Sequence, residues 1–418
     1  MADTLNFLIA EEYRLNAIMK VIGVGGAGCN ALDRMIRTGL IGVEFIAANT
    51  DAQALDRCLA PRKIQLGKLL TKGLGAGSDP KVGRAAAEAD REIIAEALKG
   101  ADLLFIAAGM GGGTGTGAAP VFAQIARETE ALTIAIVTKP FIFEGRKRMT
   151  AAEGGIRELR DFVDTLVAIP NQALLSAVDN KTSLNDSFKI ADSVLTQATK
   201  GISDIIAIPG KWNVDFADVR TIMCGGGDAI MGIGMAVGEG RGAKAARDAI
   251  SCKLIDDVSI RGAQGVLVNI TGSSELTLFD VNEAAMVIYE EAGDDANIII
   301  GTVEDNNVGE EIRVTVIATG FNHHPTPPQA RSAAASMLQP DRSYDFRAPR
   351  KVNLEEPAFK RRETATVGAE RSPNVGNVHS TGNGGGKTNS GRVLHLGVID
   401  LDGEPPDIKL PDFMTRKN

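Results

Sequence analysis

Short apolar segments alternate with stretches long enough for crossover helices through the first part of the chain. This alternation is typical of an α/β domain with a mostly parallel sheet. Ligands of such sheets bind beyond the carboxyl ends of the strands, so the residues that follow each strand are the first candidates for a site. The predicted strands cover residues 18–24, 43–48, 102–108, 132–137 and 166–169.

A long amphipathic segment follows, from about Asn185 to Ile206, with apolar residues at three- and four-residue steps that predict one long helix. Strands at 266–270, 298–303 and 312–318 and a helix at 279–291 then predict a smaller α+β domain. We divide the chain into an N-terminal extension (1–16), an α/β domain (17–184), a central helix (185–208), a C-terminal domain (209–321), a disordered linker (322–404) and a terminal peptide (405–418).

The residues after Phe321 lose this periodicity and are rich in Pro, Ser, Asn and Gly, a composition typical of disorder. The peptide from Asp407 to Lys417 regains apolar residues and ends on basic ones. A short amphipathic peptide on a tether is typical of a segment that docks on a partner. A ragged disordered end is the alternative interpretation.

Composition argues against several classes of function. The net charge of -8 and an aromatic content of 4% argue against a nucleic-acid-binding protein. The four cysteines show no CxxC spacing, which disfavours zinc and disulfides and favours reduced thiols in the cytoplasm. No apolar run is long enough to predict direct membrane insertion. All four histidines lie after residue 320, so the chemistry of the two domains must use other groups.

The first glycine loop, residues 23–30, follows the first strand and opens a helix. It matches GxGxxG, whose glycines let backbone N–H groups at a helix N-terminus approach a phosphate. A dinucleotide site with Asp51 as the ribose-binding acid is one interpretation of it. On its own this motif is a weak signal.

The second glycine loop, residues 111–117, has the sequence GGGTGTG and again opens a helix. Five glycines and two threonines are suited to a di- or triphosphate tail, whereas a dinucleotide fold needs no second phosphate cradle. A tight turn for helix–strand packing is the alternative. The third glycine loop, residues 72–80, also precedes a helix, and the sequence contains no GxxxxGK[ST] P-loop.

The GGGTGTG box is the signature of the tubulin-like GTPases. The chain resembles the FtsZ family of bacterial cell-division proteins over residues 17–321 and again at its C-terminus. The matching motifs are residues 21–30, 48–55, 71–80, 110–120, 138–148 and 213–223. The resemblance implies a tubulin-like fold, in which a nucleotide-binding α/β domain, a long central helix and a smaller C-terminal α+β domain precede a disordered tail.

The resemblance also implies a site for GTP or GDP with Mg²⁺, without a confident metal ligand among the side chains. Glu144 and Arg148 would contact the ribose. Asn171 and Asp192 would bind the guanine, since a carboxylate accepts from both N1–H and N2–H, and Phe188 would stack on the base, although its spacing alone favours core packing. The implied phosphate contacts are Gly25, Gly26, Ala27, Gly28, Cys29, Asn30, Ala76, Gly77, Gly111, Gly112, Gly113, Thr114, Gly115, Thr116 and Gly117.

The family resemblance implies that catalysis is shared between subunits. The loop from Asn213 to Asp218 would enter the pocket of the next subunit, where Asp215 and Asp218 polarise the attacking water with Asn213 nearby. Such contacts build an open head-to-tail filament, here the cytoplasmic division ring at mid-cell. Hydrolysis would then depend on assembly, and the peptide from Asp407 to Lys417 would bind membrane-tethering and regulatory proteins. Helix capping by Asn213 or Asp215 is the alternative for this loop.

The sequence departs from the family pattern in a few places. Lys211 and Trp212 stand where aliphatic residues are usual, which keeps open a scaffold that assembles but hydrolyses poorly. Ala27 and Cys29 replace commoner residues in the first glycine loop. Residues 224–227 are unusually glycine-rich for the start of a helix. A nicotinamide-dependent oxidoreductase is the other alternative, although the second glycine loop disfavours it.

Overall fold

The computed structural model describes residues 17–174, 183–208, 212, 214–252 and 260–321. The predicted N-terminal extension, linker and terminal peptide lie outside these residues, as do Lys211 and Asn213. In the part of the chain that is described, no helix has the length and apolar character needed to cross a membrane.

The described residues form one ten-stranded sheet in the order β3-β2-β1-β4-β5-β6-β7-β10-β8-β9. The first seven strands in this order run parallel, and β10 then pairs antiparallel with both β7 and β8. Chain order reverses between β1 and β4, which opens a crevice at their carboxyl ends. The strands are β1 (Met19–Val24), β2 (Val43–Asn49), β3 (Arg62–Gln65), β4 (Leu103–Gly109), β5 (Leu132–Lys139), β6 (Thr165–Pro170), β7 (Gly227–Ala236), β8 (Gly265–Gly272), β9 (Asn297–Glu304) and β10 (Ile312–Thr319).

Helices cover both faces of the parallel part of the sheet. Apolar residues of α1, α9 and α10 pack on one face, those of α4, α5, α6 and α7 on the other, and α11 and α12 pack on the C-terminal strands. The helices are α1 (Gly25–Arg37), α2 (Ala52–Arg57), α3 (Lys68–Thr71), α4 (Pro80–Ala89), α5 (Arg91–Leu98), α6 (Thr114–Glu128), α7 (Arg146–Arg160), α8 (Asn171–Leu174), α9 (Leu184–Ala207), α10 (Phe216–Met223), α11 (Arg241–Ile250) and α12 (Leu278–Ala292).

The central helix α9 runs from the carboxyl ends of the parallel strands to their amino ends. Near its start, Phe188 makes an edge contact with Phe141, which follows the carboxyl end of β5. At its end, Ala207 lies against Gly42, just before the amino end of β2. A helix of 24 residues is about 36 Å long. The residues that follow α9 are therefore far from the carboxyl ends of the parallel strands.

The predicted strands and the long helix are confirmed, with ends that differ by one to a few residues. The sequence did not predict β3, β7 or α11. Strand β7 is rich in glycine, and a Cβ at Gly234 would overlap the Ala245 carbonyl of α11, so close helix packing explains the missing apolar pattern.

The assignment of residues 224–227 to the start of a helix was wrong. Residues 224–226 form the turn between α10 and β7, and Gly227 is the first residue of β7. Gly225 and Gly227 have φ of 68° and 63°, a left-handed conformation that glycine adopts without strain.

Candidate functional site

Two glycine loops meet at the crevice between β1 and β4. The first follows β1 and the second follows β4, and a Cβ at Gly25 would lie 2.8 Å from the backbone nitrogen of Gly115. The N-termini of α1 and α6 therefore converge on one point. Helix N-termini carry free N–H groups and a partial positive charge, which together favour an anion.

The glycines of these loops have two separate roles. A Cβ at Gly28 would lie 2.5 Å from the Ala107 carbonyl oxygen, one at Gly115 equally close to the Gly109 oxygen, and one at Gly117 would overlap Pro80. These three glycines allow close packing of helices and strands. Gly26 and Gly112 instead have open space where a side chain would be, which leaves their backbone accessible to a ligand. The packing alternative is thus correct for part of the second glycine loop and does not account for the rest.

The two threonines of the second glycine loop stabilise it from inside. The Thr114 hydroxyl lies 2.6 Å from the Thr50 hydroxyl, and the Thr116 hydroxyl accepts a hydrogen bond of 2.8 Å from the Gly111 N–H. Both side chains are buried. The hydroxyls that suggested phosphate contacts are already engaged within the protein, so backbone N–H groups are the main donors that this loop offers.

The third glycine loop closes a side of the same crevice. Gly75 donates to the Thr50 carbonyl at 3.3 Å, and Asp79 caps α4 by accepting from the Lys81 N–H at 2.9 Å. Buried Ala76 packs so close to Gly113 that a Cβ there would lie 2.8 Å from its methyl group, while Gly77 remains exposed. The predicted phosphate residues of all three loops are therefore brought together.

Asn171 is the first residue of α8, immediately after β6. Its side chain is 5% exposed, and its Oδ1 is one of two buried side-chain polar atoms of the described residues that have no hydrogen-bond partner. An unpaired buried acceptor costs about 1–3 kcal/mol, so proteins rarely keep one without a reason. Its position at the carboxyl edge of the sheet makes it a candidate ligand contact.

Phe188 and Asp192 lie one turn apart on α9. Phe188 is partly exposed, and its ring centroid lies 5.5 Å from that of Phe141, which stacks on Phe143 at 5.1 Å. Burial raises the pKa of Asp192 to about 6, and the positive charge of Arg34 on α1 partly opposes this shift. An aromatic face and a half-buried carboxylate therefore lie one turn apart on α9, and the carboxylate faces Arg34 in the last turn of α1.

Glu144 and Arg148 form an ion pair of 2.5 Å across one turn at the start of α7. Glu144 is half-buried and also accepts a hydrogen bond of 2.9 Å from the Phe141 N–H, whereas Arg148 is exposed. This pair fixes the segment after β5 and presents polar groups at the edge of the crevice.

Asp215 and Asp218 lie at the opposite end of the molecule from the glycine loops. Asp215 precedes α10 and Asp218 lies in its first turn, beyond the far end of α9. Both are exposed, and within the described residues Asp215 accepts no capping hydrogen bond from α10. Helix capping by its side chain, the alternative role for this loop, therefore does not explain why an Asp stands at position 215. Asn213 lies outside the described residues.

Sequence reasoning did not single out several residues that shape this site. Thr50 supports the second and third glycine loops, Phe141 contacts Phe188, and Arg34 faces Asp192. Thr50 directly follows β2, and Phe141 is the second residue after β5, so their position after a strand was the available signal. Asp51, the ribose acid of the dinucleotide interpretation, instead caps α2 by accepting from Gln53 and Ala54 at 2.9 and 3.1 Å.

Two family models match the chain. The GTPase-domain model of the Tubulin/FtsZ family covers residues 18–179, and the C-terminal-domain model of the FtsZ family covers residues 227–322. With the sheet and the converging glycine loops, these matches define a tubulin-like GTPase.

Solved structures refine this assignment. An FtsZ dimer from M. jannaschii is 43% identical, with a TM-score of 0.71 over 73% of this chain and 89% of that one. A point variant of FtsZ from the same organism is 44% identical, with the same TM-score over 73% and 91%. CetZ1 from Haloferax volcanii, a GDP-bound monomer, shares the fold at 21% identity, with a TM-score of 0.64 over 74% and 96%.

The chain belongs to the FtsZ family. It is a GTP-binding and GTP-hydrolysing protein of the polymerising cytoskeleton that acts in cell division. The prediction of this family, its fold and its GTPase activity is confirmed, and the oxidoreductase alternative is rejected.

Proposed function

We propose that the chain assembles head to tail and that each GTPase site is completed by Asp215 and Asp218 of the neighbouring subunit, with Asn213 beside them. The observation that carries this proposal is their position. About 23 Å of α9 lies between Asp192 and the end of the helix at Ala207, and both carboxylates follow that end, so they cannot act on a nucleotide held in their own subunit. They are nevertheless exposed, as groups that act on a neighbour must be.

The nucleotide has a proposed contact for each of its parts. Backbone N–H groups of the three glycine loops would bind the phosphates, Glu144 and Arg148 the ribose, and Asn171 and Asp192 the guanine, with Phe188 against the base. The carboxylates of the next subunit would polarise a water in line with the γ-phosphate. Fixed donors and charges of this kind are the main means by which phosphoryl transfer is accelerated.

Magnesium would be held chiefly by phosphate oxygens and water beside Ala76 and Gly77, which is how Mg²⁺ commonly binds with nucleotides. Within the described residues, no group of three or more His, Cys, Asp or Glu side chains forms a metal site.

The two ends of the molecule carry apolar surfaces suited to a head-to-tail contact. On the side of Asp215, Trp212 is 58% exposed and lines a cavity of about 250 Å³ with Leu276, Leu278 and Val303. On the side of the glycine loops, Leu69 and Leu74 are 94% and 83% exposed. We propose that these leucines of one copy pack on the Trp212 surface of the next, with Trp212 as anchor. Because the surfaces differ, the contact is heterologous and builds an open filament.

We further propose that the filament forms the cytoplasmic ring at the division site. The peptide from Asp407 to Lys417 would bind membrane-tethering and regulatory proteins, since it joins apolar and basic residues at the end of a long polar segment. Neither nucleic acid nor direct membrane insertion is part of this function.

The experiment is GTP turnover measured beside light scattering over a series of protein concentrations. Turnover per subunit should rise from near zero at the concentration where scattering begins. Constant turnover per subunit down to high dilution would contradict the shared site. A scaffold, the function that Lys211 and Trp212 left open, would scatter without turnover.

A further inference from the structure

Two cysteines meet beneath the first glycine loop, and the proposed GTPase mechanism uses neither thiol. Cys29 lies in α1 directly after Gly28, and Cys58 follows the last residue of α2. Both side chains are buried in the same apolar core. The Cys58 thiol donates to the Cys29 carbonyl oxygen at 3.8 Å, and the two thiols are within hydrogen-bonding reach of each other.

This contact makes the two thiols chemically unequal. It lowers the pKa of the Cys58 thiol, and burial opposes that shift. The same contact, together with burial, raises the pKa of Cys29 well above its ordinary value. The thiolate is the form that reacts with oxidants. Because Cys58 also lies between the exposed residues Arg57 and Leu59, we assign it as the nucleophile of the pair and Cys29 as the resolving thiol.

A small oxidant has a short path to Cys58. Its neighbours Arg57 and Leu59 are both exposed, so the thiol lies just below the surface at the end of α2. Beyond Cys29, Ala27 and Asn30 are exposed on the side of the nucleotide crevice. The exposed end of α2 is therefore the side from which we expect a hydroperoxide to approach Cys58.

We propose that Cys29 and Cys58 are a redox-sensitive dithiol, and that their oxidation by a hydroperoxide to a disulfide weakens nucleotide binding at the first glycine loop. The Cys58 thiol loses its proton, and the thiolate attacks the peroxide. The O–O bond breaks, Cys58 becomes a sulfenic acid, and the hydroxide that leaves takes up the proton as water. The Cys29 sulfur then attacks the Cys58 sulfur, the S–O bond breaks, and the departing hydroxide takes the Cys29 proton as water. Two thiols are oxidised, and one hydrogen peroxide is reduced to two waters.

The link to nucleotide binding rests on the proposed function. A disulfide holds its sulfurs about 2 Å apart, closer than any thiol–thiol contact. We expect this bond to draw the end of α2 and the start of α1 towards each other. Gly28 and Cys29 supply proposed phosphate donors, and the geometry of such donors matters on the scale of about 1 Å.

The test uses a Cys224→Ser/Cys252→Ser background, in which only this pair can react. Nucleotide-free protein is treated with hydrogen peroxide, alkylated and analysed by peptide mass mapping. We expect a Cys29–Cys58 cross-link, the loss of both alkylation sites, and recovery with dithiothreitol. The affinity for a fluorescent GDP should fall about tenfold on oxidation and return on reduction.

The control adds Cys58→Ser to the same background and should keep its GDP affinity after the same treatment. If both cysteines remain alkylatable after peroxide, the proposal is overturned. A disulfide that forms without a change in GDP affinity also overturns it. Because the cross-link is measured by mass, it does not depend on turnover, so a failure of the shared-site proposal would remain distinguishable.

Discussion

At the proposed base-binding end of the site, two polar side chains lie in unfavourable surroundings. The Asn171 acceptor is buried without a partner, and Asp192 is buried enough to raise its pKa to about 6. Each is unfavourable in the free protein. A guanine, which offers N1–H and N2–H side by side, would relieve both, and this is why we assign these residues to the base.

Replacement of Asn171 by Leu tests that assignment. Leu has the same branched arrangement of four heavy atoms and no polar atom, so the free protein should gain about 1 kcal/mol of stability by losing an unpaired buried acceptor. GTP affinity should fall tenfold or more. Urea unfolding and fluorescent-nucleotide titration measure the two effects. A destabilised protein with unchanged GTP affinity would show that Asn171 serves only the fold.

Asp192 predicts a pH dependence of nucleotide binding. Its pKa in the free protein is raised from 3.8 to about 6, so below pH 6 most of it is protonated and cannot accept both guanine donors. GDP affinity should therefore be about tenfold weaker at pH 5 than at pH 7. Titration with fluorescent GDP from pH 5 to pH 8 measures this.

Two variants on the same helix serve as controls. Asp192→Asn should bind weakly at every pH and lose the dependence. The ion pair with Lys189 keeps the pKa of the Asp186 carboxyl low in the unmodified protein. The variant Asp186→Asn should therefore retain the pH dependence of GDP affinity. A flat profile in the unmodified protein would remove Asp192 from base recognition.

At the scale of elements, the second glycine loop both packs α6 on its neighbours and presents backbone to a ligand. Gly117 faces Pro80 of α4, whereas Gly112 faces open space. Replacing Gly117 with Ala should cost about 1–3 kcal/mol, since backbone must move to admit the methyl group. The matched variant Gly112→Ala should leave stability nearly unchanged. Equal losses in urea unfolding would contradict this division of roles.

Elements with a strong local pattern were predictable from the sequence. Strands β1, β2, β4, β5 and β6 are apolar runs, and α9 has apolar residues at helical spacing. Such patterns of apolar residues are visible in the sequence alone. Strand β7 has none because its glycines admit α11, a tertiary requirement. Likewise the glycine loops predict a phosphate site from the sequence, but only the fold shows that the Thr116 hydroxyl accepts a hydrogen bond from the Gly111 N–H.

At the scale of the whole molecule, α9 determines how the site can be completed. It starts beside Phe141 at one edge of the sheet and ends beside Gly42 at the other. The nucleotide loops and the carboxylates Asp215 and Asp218 therefore lie at opposite ends of one subunit. In the filament that we propose, a second copy stacked in the same direction would bring them together, so filament growth and hydrolysis would be one process.

The most direct measurement of this claim mixes two inactive variants. The first, Asp215→Asn/Asp218→Asn, keeps its nucleotide loops and is preloaded with GTP. The second, Gly112→Phe, fills the crevice with a side chain but keeps both carboxylates. We predict that phosphate release from the first variant begins when an excess of the second is added. The rate of release should lie well above the sum of the rates of the two variants measured separately. Release no greater than that sum would contradict a site shared between subunits.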